Sequence, residues 1–464
     1  MKKISSDTFL LLILLIFIIK GIFFIFLVPP WEAPDEPGHV AYVEYLYKFK
    51  NLPSALKPLI SLSINRSFEE NKKILKNIRT KKLNTIEKKD LWNRSDRRLD
   101  PAPVNLASHP PLYYIYLLPF YIISLPFSSY LTLVFLRFAS VILGLWSLFI
   151  TFSLGKKLFK KNINLSYLLV FLVSFQPMFS FTHAVVNSDA FVIFAFLYFL
   201  NNALEIVKKK KVFHKDLFTL TLVAGFGPLM KPQLVILFIV FGLVLRWVKV
   251  SRKKFFAFFS LPLVPTIIWF FYKYLMEGGR FISYSVQVTG DTARPIWMYP
   301  VEFILQKQPA GIFMSFWGFF GWLNVPMPKW IYLLFLAVIV CGVGGWFTRV
   351  KKIRSQKISK ENILLFSACF LYVLSIVVFD IQVFALAHHF VIHGRYLAPI
   401  LPFLLVFIVQ GISFYSQQLF RNILLTLTIA TFILSSVVMY MTLSHYYYGI
   451  NFVDPFYLLK FYKL

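Results

Sequence analysis

Apolar stretches recur from one end of this chain to the other, and most run about as long as the roughly 18–20 residues that carry a helix across a bilayer. Polar breaks separate them, so the pattern predicts spans near 8–28, 131–154, 164–181, 189–207, 216–230, 232–247, 255–275, 330–347, 362–379, 396–414 and 422–442. The expected fold class is an all-α polytopic membrane protein with about 11 transmembrane helices. The first span, "TFLLLILLIFIIKGIFFIFLV", exceeds the apolar core of a signal peptide and has no A-x-A-like site after it. It reads as uncleaved, with the N-terminus cytoplasmic. Lys20 inside it must snorkel or find a partner.

Basic runs set the topology. Lys2-Lys3, Lys156 to Lys161, Lys208 to Lys215, Arg246 to Lys254, Arg349 to Lys360 and Gln417 to Arg421 should share the N-terminal, cytoplasmic side. The chain must cross an even number of times between successive markers. Letting 111–127 span would break that parity, so "PPLYYIYLLPFYIISLPF" is expected to lie in the interface or dip in and return; its tyrosines and prolines suit that place. Residues 311–323 are demoted on the same ground. The C-terminus then falls outside. Around "LMKPQ" the pattern leaves open two short helices or one kinked pair.

The whole chain, 1–464, reads as a single membrane domain. Residues 29–110 form a first extracytoplasmic loop, with one or two short amphipathic helices and the candidate active site. Residues 276–310 form a second. A formal net charge of +29 with 58% hydrophobic residues excludes a soluble enzyme. The basic residues sit in short runs between spans, which argues against nucleic acid as a partner. Cys341 and Cys369 read as small buried hydrophobes rather than a disulfide or metal pair. No internal repeat is visible, which disfavours an inverted-repeat transporter.

The chemistry starts at "PPWEAPDEPGHVAYVEYL", directly after the first span. Asp35 or Glu36 could cap a helix whose first turn holds Pro37. Capping explains one carboxylate, not the doublet with His39 a turn later. The other reading is a base at the lipid–water boundary, taking a proton from an attacking hydroxyl. The second carboxylate or His39 would then orient it, bind the acceptor or hold a divalent cation. At the end of the loop, "SHPPLYY" offers His109, whose backbone Pro110 restricts, beside Tyr113. Asp189 in "VVNSDAF" could cap its helix or face the external cavity. Lys231 and Arg395 are isolated cations in "PLMKPQ" and "VIHGRYLAPILP"; Arg395, with His393 and Tyr396 around it, could grip a phosphate. Gly394 would let backbone come close to a ligand. Arg137 is a buried cation in search of an ion pair. On the expected topology the carboxylates and most of these cations lie on one side, where a lipid headgroup is, rather than at the midplane a transporter favours.

"PDEPGH" after the first span resembles the Asp-Glu motif of the first external loop in GT-C glycosyltransferases, among them protein mannosyltransferases and the aminoarabinose transferases of lipid A. "HPPLYY", "PMFSFTHAVVNSDAF" and "LMKPQ" are similar to GT-C positions. "PPWEAPDEPGHVAYVEY", "FGWLNVPMP" and "HGRYLAPILP" together resemble the membrane-protein family catalogued as domain of unknown function 2142. The resemblance implies a GT-C-like fold and an inverting transfer of a sugar from a polyprenyl-phosphate carrier to an extracytoplasmic glycan, lipid or protein. Asp35 would be the base, Glu36 its partner in the acceptor site, and Lys231 and Arg395 the donor-phosphate contacts. The aminoarabinose-transferase pattern has a lysine where this chain has His109. The alternatives are a polymerase or ligase of lipid-linked glycans, and a non-enzymatic transporter.

Overall fold

The computed structural model describes residues 6–54, 60–82, 92–94, 96, 98–100, 106–159, 162–209, 212–248, 250–276, 295–348, 359–454 and 456–457. Lys2-Lys3, most of the basic run after Thr348 and residues 277–294 of the second loop lie outside them.

Eight helical segments among the described residues are long and apolar enough to cross a membrane. In chain order they contain α1 (Ser6–Leu27), α5 (Ser129–Phe159), α8 (Asp189–Lys208), α11 (Arg252–Ser260) joined to α12 (Leu263–Met276), α15 (Lys329–Phe347), α16 (Lys360–Ala387), a 3-10 turn (Gly394–Ile400) joined to α17 (Leu401–Ser413), and α18 (Gln418–Tyr448). The other three expected spans are built from shorter helices: α6 (Ile163–Phe175), α9 (His214–Phe226) and α10 (Ile236–Val248). Each of these has 13 residues, a rise of about 20 Å. Short added segments extend them, namely α7 (Pro177–Thr182) after α6 and 3-10 turns on either side of Lys231. Lys231 itself is extended, with φ −160° and ψ 137°. The chain therefore breaks at "LMKPQ" into two helices.

Both demoted segments form short helices. α4 (Leu112–Ser124) has 13 residues with Pro119 inside and packs on α5 and on α2 (Glu36–Phe49). α13 (Tyr299–Leu305) precedes α14 (Gln308–Gly318), an 11-residue helix that ends in a hairpin of β3 (Phe319–Phe320) against β4 (Val325–Pro326). Among the described residues the first loop holds two helices: α3 (Leu62–Arg79) divides into a buried and an exposed face, whereas α2 is buried on nearly all sides. A two-residue ladder of β1 (Ile60–Ser61) and β2 (Leu99–Asp100) ties the ends together.

Packing and exposure divide each helix between core and lipid. On α1, Ile13 and Phe17 are buried while Leu11 and Leu15 are exposed, and α16 exposes Phe366 at 73%. Side chains of this size around the periphery would be a liability in water and suit a hydrocarbon surround. Helices α15 and α17 meet through small residues: a Cβ on Gly345 would stand 1.9 Å from the Gly411 carbonyl oxygen. Lys20 donates to the Ser174 carbonyl and lies 4.5 Å from the Phe175 ring centre. The mid-span lysine is thus satisfied inside the protein.

Candidate active site

The link from α1 to α2 is wound tightly. Trp31 and Asp35 both take left-handed backbone conformations, φ 67° and 62°, which non-glycine residues rarely adopt. Neighbours hold the strained segment. The Trp31 indole N–H donates to Ser67 Oγ at 2.9 Å, and Asn71 donates to the Pro30 carbonyl at 2.7 Å. Trp322 donates to the Trp31 carbonyl at 3.0 Å, and the Tyr448 hydroxyl to that of Leu27 at 2.8 Å.

The acidic doublet is split by this geometry. Asp35 occupies the N-cap position of α2, but its side chain makes no capping bond. It faces Arg395, whose Nη2 lies 3.3 Å from Asp35 Oδ2, and the carboxylate side chain is 35% exposed. Glu36 turns inward and is fully buried. It takes Nε of Arg137 at 2.8 Å and Nη2 at 2.6 Å, and accepts the main-chain N–H groups of Trp31 at 3.1 Å and Val186 at 3.2 Å. The remaining N–H groups of Arg137 donate to the carbonyls of Ile25, Val28 and Pro29. All five guanidinium donors are used. Arg137 thus has its ion pair, and Glu36 is a positioning group beneath Asp35. An acceptor-site role was expected of Glu36; its oxygens here are taken up by Arg137, Trp31 and Val186.

A cation cluster stands opposite Asp35. Asp189 begins α8, yet the N-cap is Ser188, and the Asp189 carboxylate pairs with Lys231. Its other oxygen lies 3.8 Å from Arg395 Nε. That buried Nε–H has no hydrogen-bond partner among the described residues. Tyr396 lies under both cations, 4.6 Å from Lys231 Nζ and 5.1 Å from the Arg395 guanidinium carbon, and its hydroxyl accepts from Arg395 at 3.3 Å.

Histidines form a third side. His39 Nδ1 is 3.1 Å from the Tyr114 hydroxyl, which is 3.3 Å from His109 Nδ1. Tyr114 stacks on Tyr42 at 3.6 Å. Tyr113 is fully buried, edge-on to His39 at 5.8 Å. It packs against His39; substrate contact was expected of it. Burial, reinforced by the Lys231 charge, holds His109 down at about 4. Burial and then Arg395 hold His393 at about 4, and burial and then the charges of His109, Lys231 and Arg395 push His39 well below the usual range. All three imidazoles are neutral at neutral pH.

The loop that presents Arg395 depends on residues the sequence reading passed over. Asp380 of α16 is fully buried and accepts the N–H groups of Val391 at 2.6 Å and Ile392 at 2.8 Å, and the Tyr299 hydroxyl at 2.7 Å. An acidic residue inside an apolar helical run was the available signal. The Gly394 N–H donates to Ser315 Oγ at 2.7 Å. A Cβ on Gly394 would stand 2.0 Å from the Ile312 carbonyl oxygen. This close approach is to α14, not to a ligand as expected. Among the described residues no three His, Cys, Asp or Glu side chains converge as a metal site.

A family model described as "Predicted membrane protein (DUF2142)" matches residues 17–404. Among solved structures, ArnT from Cupriavidus metallidurans in the apo state is similar at 10% identity and a TM-score of 0.53, covering 96% of this chain and 78% of that one. The same protein bound to undecaprenyl phosphate gives 12% identity and 0.47, covering 89% and 61%. The Archaeoglobus fulgidus oligosaccharyltransferase in the apo form gives 11% and 0.45, covering 96% and 56%. The chain thus spans a little under two thirds of the lipid-bound ArnT chain. No curated protein matches it.

Proposed function

The chain belongs to the DUF2142 family of membrane proteins and has a GT-C-like fold, and we propose that it is an inverting glycosyltransferase, moving a sugar from a polyprenyl-phosphate carrier to an acceptor hydroxyl outside the membrane. The observation that carries this reading is Arg395, a buried guanidinium that reaches Asp35 at 3.3 Å and whose Nε–H makes no hydrogen bond among the described residues. A guanidinium with an open donor beside an ammonium suits a phosphate oxygen. The lipid class is the one bound to ArnT in one of its structures, extended here to this chain as part of the proposal.

In the reaction, the Asp35 carboxylate takes the acceptor proton as the hydroxyl oxygen attacks the anomeric carbon. The bond from that carbon to the phosphate oxygen breaks, and the lipid phosphate leaves with its added negative charge. Arg395 and Lys231 stabilise that charge as it develops. A single displacement inverts the anomeric centre. Before the donor arrives, Arg395 pairs with Asp35 and Lys231 with Asp189. An incoming phosphate competes for both cations and frees the Asp35 carboxylate to act as base. His39 and His109 are placed to bind sugar or acceptor hydroxyls, and His393 and Tyr396 flank the phosphate.

The test is transfer from purified lipid-linked sugar by Asp35→Asn against the unaltered protein. Loss of about 10²–10⁴-fold in turnover is expected of a removed general base; full activity refutes the assignment. Supplying single-sugar carriers against preassembled lipid-linked oligosaccharides in the same assay separates monosaccharide transfer from polymerisation or ligation.

A further inference from the structure

A second polar site lies in the first loop. It is an open cleft of about 690 Å³, within the usual size of small-molecule sites. Trp31 joins it to the Asp35 segment: the indole bonds Ser67 of the cleft wall and packs on Trp92 at 5.2 Å, while its main-chain N–H bonds Glu36.

The lining mixes charges of both signs. Arg66, Arg94, Arg98, Glu70, Asp96 and Asn93 all line it. Arg98 and Asp96 form a two-pronged pair at 3.0 and 2.9 Å, and Arg94 is fixed by the Ser124 carbonyl at 3.1 Å and Thr132 Oγ1 at 2.7 Å. Arg66 is exposed, with no hydrogen bond or ion pair among the described residues. Arg94, Asp96 and Arg98 are thus pre-positioned, so a ligand would meet them without ordering them first.

The lining selects its ligand class. An apolar ligand would strip water from five charged side chains. A simple anion would meet Glu70 and Asp96 as well as the arginines. A polyol fits both, because each hydroxyl donates to a carboxylate and accepts from a guanidinium. We propose that this cleft binds an oligosaccharide. Its identification as the acceptor's anchoring site, away from the reacting hydroxyl, rests on the transfer reading; the binding itself does not.

The experiment is equilibrium binding by calorimetry and tryptophan fluorescence, using the full chain in lipid nanodiscs. The probes are neutral-hexose, N-acetylhexosamine and uronate-containing trisaccharides, with inorganic phosphate for comparison. At least one trisaccharide should bind at millimolar concentration or tighter. Arg66→Ala and Asn93→Ala should each weaken it about tenfold, with unchanged thermal unfolding midpoints as the check on folding. Asp35→Asn should lose transfer and keep this binding, so failure of the transfer reading and failure of the cleft are read separately. Binding of phosphate alone, of no trisaccharide, or of a trisaccharide insensitive to both substitutions overturns the proposal.

Discussion

Replacing Arg137 with methionine should destabilise the protein more than almost any other single change. The guanidinium is 1% exposed and faces a carboxylate that is wholly buried. Removing one partner of such a pair leaves an uncompensated charge, at a cost of about 3–5 kcal/mol. The carbonyls of Ile25, Val28 and Pro29 also lose their donor, adding roughly 1 kcal/mol for each that water cannot reach. Glu36→Gln should cost less, because Arg137 keeps its three carbonyls and an amide oxygen can still accept from Trp31 or Val186. In the double variant the stranded charge is gone, so the loss should fall short of the two single losses combined by about 2–3 kcal/mol. Reversible unfolding in mixed detergent micelles, followed by tryptophan fluorescence, measures all four corners of the cycle. The transfer assay reads the consequence, since Asp35 is the next residue and its left-handed conformation rests on this support. A loss below about 1 kcal/mol for Arg137→Met, or strict additivity in the double variant, refutes the reasoning.

Gly394→Ala should displace the Arg395 loop, since its Cβ would be driven to 2.0 Å from the Ile312 carbonyl oxygen and 2.2 Å from the Phe316 nitrogen. A loss beyond the roughly 1–3 kcal/mol of ordinary overpacking is expected in the same unfolding assay; wild-type stability would show that α14 yields freely. Protonation should act through the histidines. His109 and His393 titrate at about 4 when folded and near about 6.5 when unfolded. The unfolded chain therefore binds more protons between those values, so their contribution to stability, complete above about pH 6.5, is lost as pH falls through that window and falls no further below about 4. His109→Gln should flatten the profile there, and an unchanged slope contradicts the assignment.

The spans were legible because the bilayer demands long apolar runs and the basic markers fix parity. Asp35, Lys231 and Arg395 stood out for a related reason: an ionisable group at the edge of an apolar run is rare enough to be noticed. What could not be read was the pairing. Glu36 and Arg137 are 101 residues apart, and no local pattern tells which of two adjacent carboxylates turns inward. Asp380 was hidden by a boundary error, since the expected span stopped at 379 and the helix continues to Ala387. Gly394 was noticed for the right property and assigned the wrong neighbour, because close approach to another helix and close approach to a ligand leave the same mark in a sequence.

The site also constrains the topology that predicted it. Asp35 follows α1, Asp189 opens α8, Lys231 separates α9 from α10, and Arg395 follows α16; ion pairs join them into one cluster. They can share a membrane face only if the crossings between them are even in number. One crossing each by α5 and α6, then α8 and α9, then α10, α11–α12, α15 and α16, meets the condition. A further crossing by α4 or α14 would break it, and both are short enough to stay on one side. Parity does not say which face is outside; the basic runs predict it, with Lys209 expected in the cytoplasm and Glu69 of α3 in the exterior. With Cys341 and Cys369 replaced, a single cysteine at the exposed Glu69 should react with an impermeant maleimide in intact cells. One at the exposed Lys209 should react only after lysis. Labelling of both in intact cells would mean that α4 crosses or that one of α5, α6 and α8 does not, and the reverse pattern would put the Asp35 cluster on the cytoplasmic face, away from any exterior acceptor.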